Sequence, residues 1–120
     1  MKKIYFLVMN IEQIREYCLS KNEVEESFPF GNDTLVFKTN GKIFLLLSLE
    51  TDPLQFNVKC EPEKAIELRE EFPGIILPGY HMNKKHWNTI VVNGKLLWAQ
   101  IREMIDDSYN LVCHKSNRMA

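Results

Sequence analysis

The dipeptide Asn40-Gly41 lies between two apolar segments and constrains the fold more than any other feature of the chain. Both positions of a two-residue hairpin turn require a positive φ, which Asn and Gly adopt at little cost. The flanking segments, Thr34 to Thr39 and Lys42 to Leu49, are therefore predicted to be neighbouring antiparallel strands. Within the second strand, residues 43–47 are apolar on both faces. That pattern indicates a central strand covered on both sides, the favoured interpretation, or part of a dimer interface.

Two more strands are predicted from the sequence pattern. Apolar and polar residues alternate from Leu54 to Cys60. One face of that strand should pack on a core, while Gln55, Asn57 and Lys59 on the other face meet solvent or a partner. Residues Trp87 to Val92 form the fourth predicted strand.

Three helices are predicted around these strands. The first begins at Asn10, which forms a capping-box pattern with Gln13, so residues 1–8 are an expected N-terminal extension of a single domain over 9–120. The second begins at Pro62, and the third follows Asn93-Gly94. Their apolar faces comprise Ala65, Leu68 and Phe72 in the second helix, and Leu97, Ile101, Ile105, Tyr109 and Val112 in the third. These elements predict an α+β fold with two layers, an antiparallel sheet and helices packed on one face.

Composition limits the possible classes of protein. The formal net charge of −1 argues against a protein that coats nucleic acid without specificity. Three widely spaced cysteines without a C-x-x-C pair indicate reduced thiols rather than a disulfide framework. The apolar run 4–9 is short for a signal peptide, and no segment reaches the roughly 20 apolar residues of a membrane span. The chain is therefore expected to be cytoplasmic, with no membrane partner.

The segment 78–89 carries the side chains that most indicate a function. It holds two lysines, two histidines, two aromatic residues and two amides in a turn that leads into a strand. Lysines neutralise phosphates, amides hydrogen-bond to base edges, and aromatic rings stack on exposed bases. The candidate nucleic-acid-binding residues are Tyr80, His81, Asn83, Lys84, Lys85, His86, Trp87, Asn88 and Lys59.

A purely structural role for the same segment is the alternative. In that interpretation Trp87 and Tyr80 anchor the core, the two lysines lie in a solvated turn, and His81 or His86 caps the end of a strand. The residues alone favour this alternative slightly, because charged loops are usually only solvated.

The chain resembles the MmcQ/YjbR family of small bacterial proteins from Met9 onward. The most specific similarity is Phe72-Pro73-Gly74 followed by the segment 78–89. The other similar pieces are Asn10-Ile11-Glu12, Tyr17-Cys18-Leu19-Ser20, Glu26-Ser27-Phe28-Pro29-Phe30, Leu35-Val36-Phe37-Lys38, Lys59-Cys60-Glu61-Pro62-Glu63 and Ile105-Asp106-Asp107-Ser108-Tyr109-Asn110-Leu111-Val112. The resemblance implies a CyaY-like fold with an arrangement described as a double wing, and it implies the label DNA-binding protein.

Catalysis is not expected. Cys113 and His114 are neighbours in sequence, and adjacent residues on a helix point apart, so they do not form a dyad. The chain has no nucleophile elbow and no glycine-rich phosphate loop, and Asp106-Asp107 is interpreted as a helix-surface pair. No cofactor is expected either.

Metal binding is also not expected. The acidic residues nearest to a weak carboxylate site are Glu12, Glu16, Glu23, Glu25 and Glu26, and a solvated acidic face is the simpler account. His81 and His86 do not have a zinc-ligand spacing.

Two classes of function remain open. The first is a DNA-binding or regulatory module, of unspecified strandedness, that uses the Tyr80 to Trp87 loop. The second is a module that binds an anionic small molecule or a partner protein through the same loop, next to Arg69. DNA is favoured if the lysines gather on one face, and a homodimer is favoured if the sheet exposes a mainly apolar face. The lysines in question are Lys38, Lys42, Lys59, Lys84, Lys85 and Lys95.

Overall fold

The computed structural model describes the backbone of residues 2–79 and 82–118, and the side chains of 10–79 and 82–113. The elements in chain order are α1 (Lys2–Leu19), β1 (Val24–Ser27), β2 (Thr34–Thr39), β3 (Lys42–Ser48), β4 (Leu54–Lys59), α2 (Pro62–Glu71), β5 (Ile76–Pro78), β6 (Trp87–Val92) and α3 (Trp98–Arg118). The strands form one sheet in the order β1-β2-β3-β4-β6-β5. Every pair of neighbours is antiparallel, so the predicted α+β class with an antiparallel sheet is confirmed.

The Asn40-Gly41 hairpin is present as predicted. The two residues have φ values of 53° and 75°, and Thr39 pairs with Lys42 on either side of the turn. Because β3 has β2 on one side and β4 on the other, its apolar run lies in the interior of the sheet. Phe44, Leu45, Leu46 and Leu47 are buried and Ile43 is half-buried, so the strand is central as the favoured interpretation held, although the helices cover only one side of it.

One hydrophobic core joins the sheet to the helices. It contains Phe37, Phe44, Leu45 and Phe56 from the strands, and its helix members are Ile14, Cys18, Ile101, Met104, Ile105 and Val112. Leu68 and Phe72 of α2 pack against the same core. All three helices therefore contribute to one side of the sheet, which gives the predicted two layers.

The structure has two strands that the sequence pattern did not predict. Residues 24–27 form β1, and β5 has only three residues. Both lie at the edges of the sheet, where β1 pairs only with β2 and β5 only with β6. An edge strand needs few apolar side chains, and β1 contains a single one, Val24.

Two predicted helix features are wrong. α1 runs without interruption from Lys2, so Asn10 lies inside the helix and does not cap it. Leu97 is 69% exposed because it precedes α3, where its backbone N–H donates to Gln100 Oε1 at 2.8 Å. Within the described part of the chain, no helix is both long enough and apolar enough to cross a membrane.

Candidate nucleic-acid interface

The sheet has a second face, opposite the helices, which we call the open face. Its central members follow from the strand register, in which Val36 pairs with Leu46, Leu46 with Asn57, and Asn57 with Thr89. None of these residues belongs to the hydrophobic core. The open face includes Glu25, Val36, Lys38, Ile43, Leu46, Gln55, Asn57, Lys59, Leu77, Trp87, Thr89 and Val91.

The accessible side chains of the open face are mainly polar. Of its apolar members, Val36, Leu46 and Val91 are at most 8% exposed, and Ile43 and Leu77 are half-buried. The partly exposed members include Lys38, Gln55, Asn57, Lys59 and Trp87. This composition does not favour the expected alternative of an apolar dimer face.

Lys59 and Trp87 are direct neighbours on the open face. They are cross-strand partners in the β4–β6 pair, which places their Cβ atoms roughly 5 Å apart. Lys38 lies at the same end of the open face, where it pairs with Ile43 of β3 and with Glu25 of β1. This end therefore carries an acidic residue on β1, lysines on β2 and β4, and an aromatic ring on β6.

Ser108 of α3 fixes the end of β4 at Lys59. The β2–β3 register shifts between Phe37 and Lys38, so Phe44 is an extra residue, a β-bulge without a direct cross-strand partner in β2. The Ser108 hydroxyl donates to the Phe44 carbonyl at 2.5 Å and accepts from the Lys59 N–H at 2.9 Å. The buried Ser108 side chain thus hydrogen-bonds the carbonyl group of the bulge and also holds the backbone of Lys59, the neighbour of Trp87.

The turn before β6 presents Lys84 and Lys85 to solvent. The Asn83 carboxamide Oδ1 accepts from the Lys85 N–H at 3.0 Å, and the Asn83 carbonyl accepts from the N–H groups of His86 and Trp87, each at 3.0 Å. Asn83 therefore shapes the turn, since its side-chain oxygen is engaged with the backbone. The His86 carbonyl accepts from the Cys60 N–H at 2.7 Å and so anchors the turn to β4.

Position 79 requires glycine because the backbone there lies very close to Trp87, and not because of a positive φ. A Cβ atom built on Gly79 would lie 2.9 Å from Trp87 Cβ and 3.2 Å from the Trp87 carbonyl oxygen. The Gly79 N–H also donates to that carbonyl at 2.9 Å. Any larger residue at this position would displace the backbone that carries Trp87.

Asn88 is not part of the candidate interface, and its prediction as a nucleic-acid contact is wrong. It is 1% exposed and points to the helix side of the sheet, where its Nδ2 donates to the Ala65 carbonyl at 3.4 Å. Its Oδ1 has no hydrogen-bond partner in the described part of the chain. The alternation of β6, with Trp87, Thr89 and Val91 on the open face, explains this placement, and it is the signal from which Thr89 could have been predicted.

Of the other candidate nucleic-acid-binding residues, some lie at the candidate interface and two lie outside the residues that the structure describes. Lys59, Lys84, Lys85 and Trp87 lie at one end of the sheet, with His86 half-buried beside them. Tyr80 and His81 lie outside the described residues.

Five of the six lysines named above gather at that same end. Lys38 and Lys42 flank the hairpin turn, and antiparallel pairing places Lys59 and the 84–85 turn at the corresponding ends of β4 and β6. Lys95 follows Val92 and lies at the opposite end.

The acidic residues do not form one patch. Glu26 accepts two hydrogen bonds from Arg15, at 2.8 and 2.6 Å, on the helix side of the sheet. Glu25 lies on the other face, opposite Lys38. No group of three or more His, Cys, Asp or Glu residues suited to a metal ion occurs among the described residues.

A small cleft lies on the helix side, between β4, β6, α2 and α3. Its lining includes Cys60, Asn88 and Asp107, and its volume of about 10 Å³ leaves room for about one water molecule at most. Burial raises the pKa of the Cys60 thiol, which keeps it neutral and a poor nucleophile.

Arg69 is turned back onto its own helix, where its Nε donates to the Ala65 carbonyl at 3.1 Å. Arg69 therefore lies on the helix side of the sheet, away from Trp87, while Tyr80 and His81, the other residues of the expected anion site, lie outside the described residues.

A family model described as YjbR matches residues 19–111 of the chain. The chain is 40% identical over 101 residues to the Escherichia coli O157:H7 protein YbdF, covering 84% of this chain and 82% of that protein. It is 29% identical to the protein YjbR of E. coli strain K12, covering 84% of this chain and 85% of the relative. Both relatives are described as uncharacterized proteins.

Two crystal structures share the fold. The Deinococcus radiodurans protein DR2400, described with the domain DUF419, superimposes with a TM-score of 0.84 at 36% identity, covering 88% of this chain and 80% of that chain. A Pseudomonas syringae protein superimposes with a TM-score of 0.72 at 32% identity, covering 84% of this chain and 97% of that chain. The descriptions of these relatives and structures state no ligand, substrate or activity.

Proposed function

Because the chain belongs to the YjbR family, whose relatives named above carry no assigned function, we propose its function from its own surface. We propose that it is a non-catalytic DNA-binding or regulatory protein. It contacts nucleic acid through the Lys59–Trp87 end of the open face and the Lys84-Lys85 turn. The proposal assumes the CyaY-like arrangement that the sequence resemblance implies. The proposed location is the cytoplasm.

The observation that carries the proposal is the adjacency of Lys59 and Trp87 on the face that has no helix. A lysine supplies charge to a phosphate, and an indole ring supplies a stacking surface for a base. Lys84 and Lys85 lie just before His86 and Trp87 in the chain and add two more positive charges at the same end. Lysines thus gather at this end of the sheet although the net charge of the chain is −1.

The proposal is tested by replacing the lysines of the turn. We expect the double variant Lys84→Ala, Lys85→Ala to weaken binding to labelled DNA for every sequence. It should also reduce the slope of log K against log salt by about 1.4 to 1.8, because each lost phosphate contact removes about 0.7 to 0.9 of a unit. Fluorescence anisotropy at several salt concentrations measures both quantities.

Lys95→Ala is the matched control. It removes an exposed lysine from the opposite end of the sheet and should leave the slope unchanged. Equal slopes for the wild type and the double variant would remove Lys84 and Lys85 from the contact. Binding of a small anion or a protein by this loop is the other outcome, and no contact in the described residues favours it over DNA.

A further inference from the structure

We propose that the open face binds single-stranded DNA in preference to duplex DNA, with one base stacked on Trp87. This inference rests on the proposed function and specifies its substrate. It follows from the shape of the face, from the position of the ring and from the hydrogen-bonding groups beside it.

The shape of the face does not match a duplex groove. A major groove admits a helix or a two-stranded ribbon that projects from the protein. The three helices instead pack on the other side of the sheet, and the open face is formed by adjacent strands. From Lys38 on β2 to Trp87 on β6 the face spans three strand spacings, roughly 14 Å. A sheet surface of this kind is typical of proteins that hold unpaired, splayed bases.

The ring position suits stacking. Trp87 is partly exposed at the end of β6 and does not belong to the hydrophobic core. Gly79 packs directly against its Cβ and backbone, which restricts the position of the residue without covering the face with another side chain. Bases of a single strand can reach such a ring, whereas paired bases within a duplex remain stacked on each other.

Asn57 lies diagonally from Trp87, next to Lys59 on the adjacent strand. The Thr89 hydroxyl donates to Asn57 Oδ1 at 2.5 Å. That bond fixes the orientation of the carboxamide, so the Nδ2 group, which no hydrogen bond among the described residues uses, is available as a donor. A base stacked on Trp87 would bring its edge within reach of this amide, and its phosphates would lie near Lys59 and Lys38.

The chain contains two tryptophans, which makes the stacking directly observable. Trp98 lies at the start of α3, where its ring packs edge-on against Tyr17 with centroids 5.8 Å apart. In a Trp98→Phe variant all tryptophan fluorescence comes from Trp87. We expect a single-stranded 20-mer to quench that fluorescence and a duplex of the same sequence to quench it much less. In the reciprocal Trp87→Phe variant, the fluorescence of Trp98 should not respond to either probe.

Affinity measurements complete the test. Trp87→Leu, which keeps an apolar side chain but removes the ring, should weaken single-strand binding at least fivefold, the lower end of the effect of losing one stacked base. Its effect on duplex binding should be smaller. Equal affinity of the wild type for both probes, with no effect of Trp87→Leu, would overturn this inference while leaving the proposed function intact. Absence of binding to either probe at low salt would overturn both, and binding confined to an RNA 20-mer would overturn the choice of DNA.

Discussion

Ser108 joins three parts of the fold through one hydroxyl group. It lies on α3, where its hydroxyl donates a hydrogen bond to the Phe44 carbonyl in the β3 bulge. The same hydroxyl accepts a hydrogen bond from the N–H of Lys59, the last residue of β4. The residue is fully buried, so removal of the hydroxyl leaves two backbone groups without partners. The cost of an unsatisfied buried polar group exceeds the net gain from an ordinary hydrogen bond.

We therefore expect Ser108→Ala to lower the free energy of unfolding by about 2 to 4 kcal/mol, since each orphaned group costs about 1–3 kcal/mol and relaxation recovers part of it. Urea denaturation followed by circular dichroism measures the change. Ser20→Ala is the matched control, because Ser20 is exposed and its hydroxyl bonds only the Tyr17 carbonyl at the end of α1. Equal stabilities of the two variants would show that Ser108 does not support the bulge.

Trp87 and Asn88 show what the sequence could predict of the site and what it could not. The sequence predicts that the side chains of 78–89 lie close together, and Lys84, Lys85 and Trp87 do lie at one end of the sheet. It did not separate the two faces of β6, and so Asn88 was grouped with its neighbour although it is buried beneath α2. Strand alternation carries that information, but only once the start of the strand and its helix-facing side are known.

At the scale of elements, Asp106 connects the first and last helices. Its Oδ1 accepts from the Tyr17 hydroxyl and from Lys21 Nζ, each at 2.6 Å. Burial alone would raise the pKa of the carboxyl, but these two donors outweigh it and hold the pKa below its usual range. Burial and the bond to Asp106 raise the pKa of Tyr17 to about 12, so its hydroxyl remains a donor at neutral pH. Asp106 is thus more than the helix-surface pair that the sequence indicated.

The depressed pKa of Asp106 makes the contact between α1 and α3 sensitive to acid. A carboxyl whose folded pKa lies below its unfolded value stabilises the fold above the unfolded pKa, and this contribution is lost as pH falls through the folded pKa. We expect Asp106→Asn to cost about 1 kcal/mol at pH 7. The difference in stability between the wild type and the variant should narrow as pH falls below about 4 and vanish only below the folded pKa of Asp106.

Thermal unfolding between pH 7 and pH 3 measures this dependence. Asp107→Asn is the control, since Asp107 forms a more exposed ion pair with Lys64, and surface pairs contribute little. A gap between Asp106→Asn and the wild type that did not narrow between pH 5 and pH 3 would contradict an ionic origin.

Some helices and strands can be predicted from their own residues, whereas others form because of a neighbouring element. The hairpin, β4, α2 and β6 have patterns or turn residues within their own sequences, and all four occur where they were predicted. β1 and β5 are strands because a neighbour pairs with them, which their own residues do not reveal. The continuation of α1 before Asn10 was likewise hidden, because a capping-box pattern can also occur inside a helix.

At the scale of the whole molecule, the two sides of the sheet differ in the side chains that they carry. The helix side holds the core, and the acidic residues Glu67, Glu70 and Glu71 are exposed on α2. The open face holds lysines and amides with Trp87 at its end. The net charge of −1 averages over both sides and hides this division. The sequence pattern could therefore predict the fold class but not which side chains share a face, which depends on the strand register.

The central claim is that nucleic acid meets the Lys59–Trp87 end of the open face. The most direct measurement is an amide NMR titration of ¹⁵N-labelled protein with a single-stranded 20-mer at low salt. The account predicts chemical-shift changes that are largest at Asn57, Lys59, Lys84, Lys85 and the Trp87 indole N–H, with small changes along the exposed side of α2. Shifts centred on α2, or no shifts at all at low salt, would contradict it.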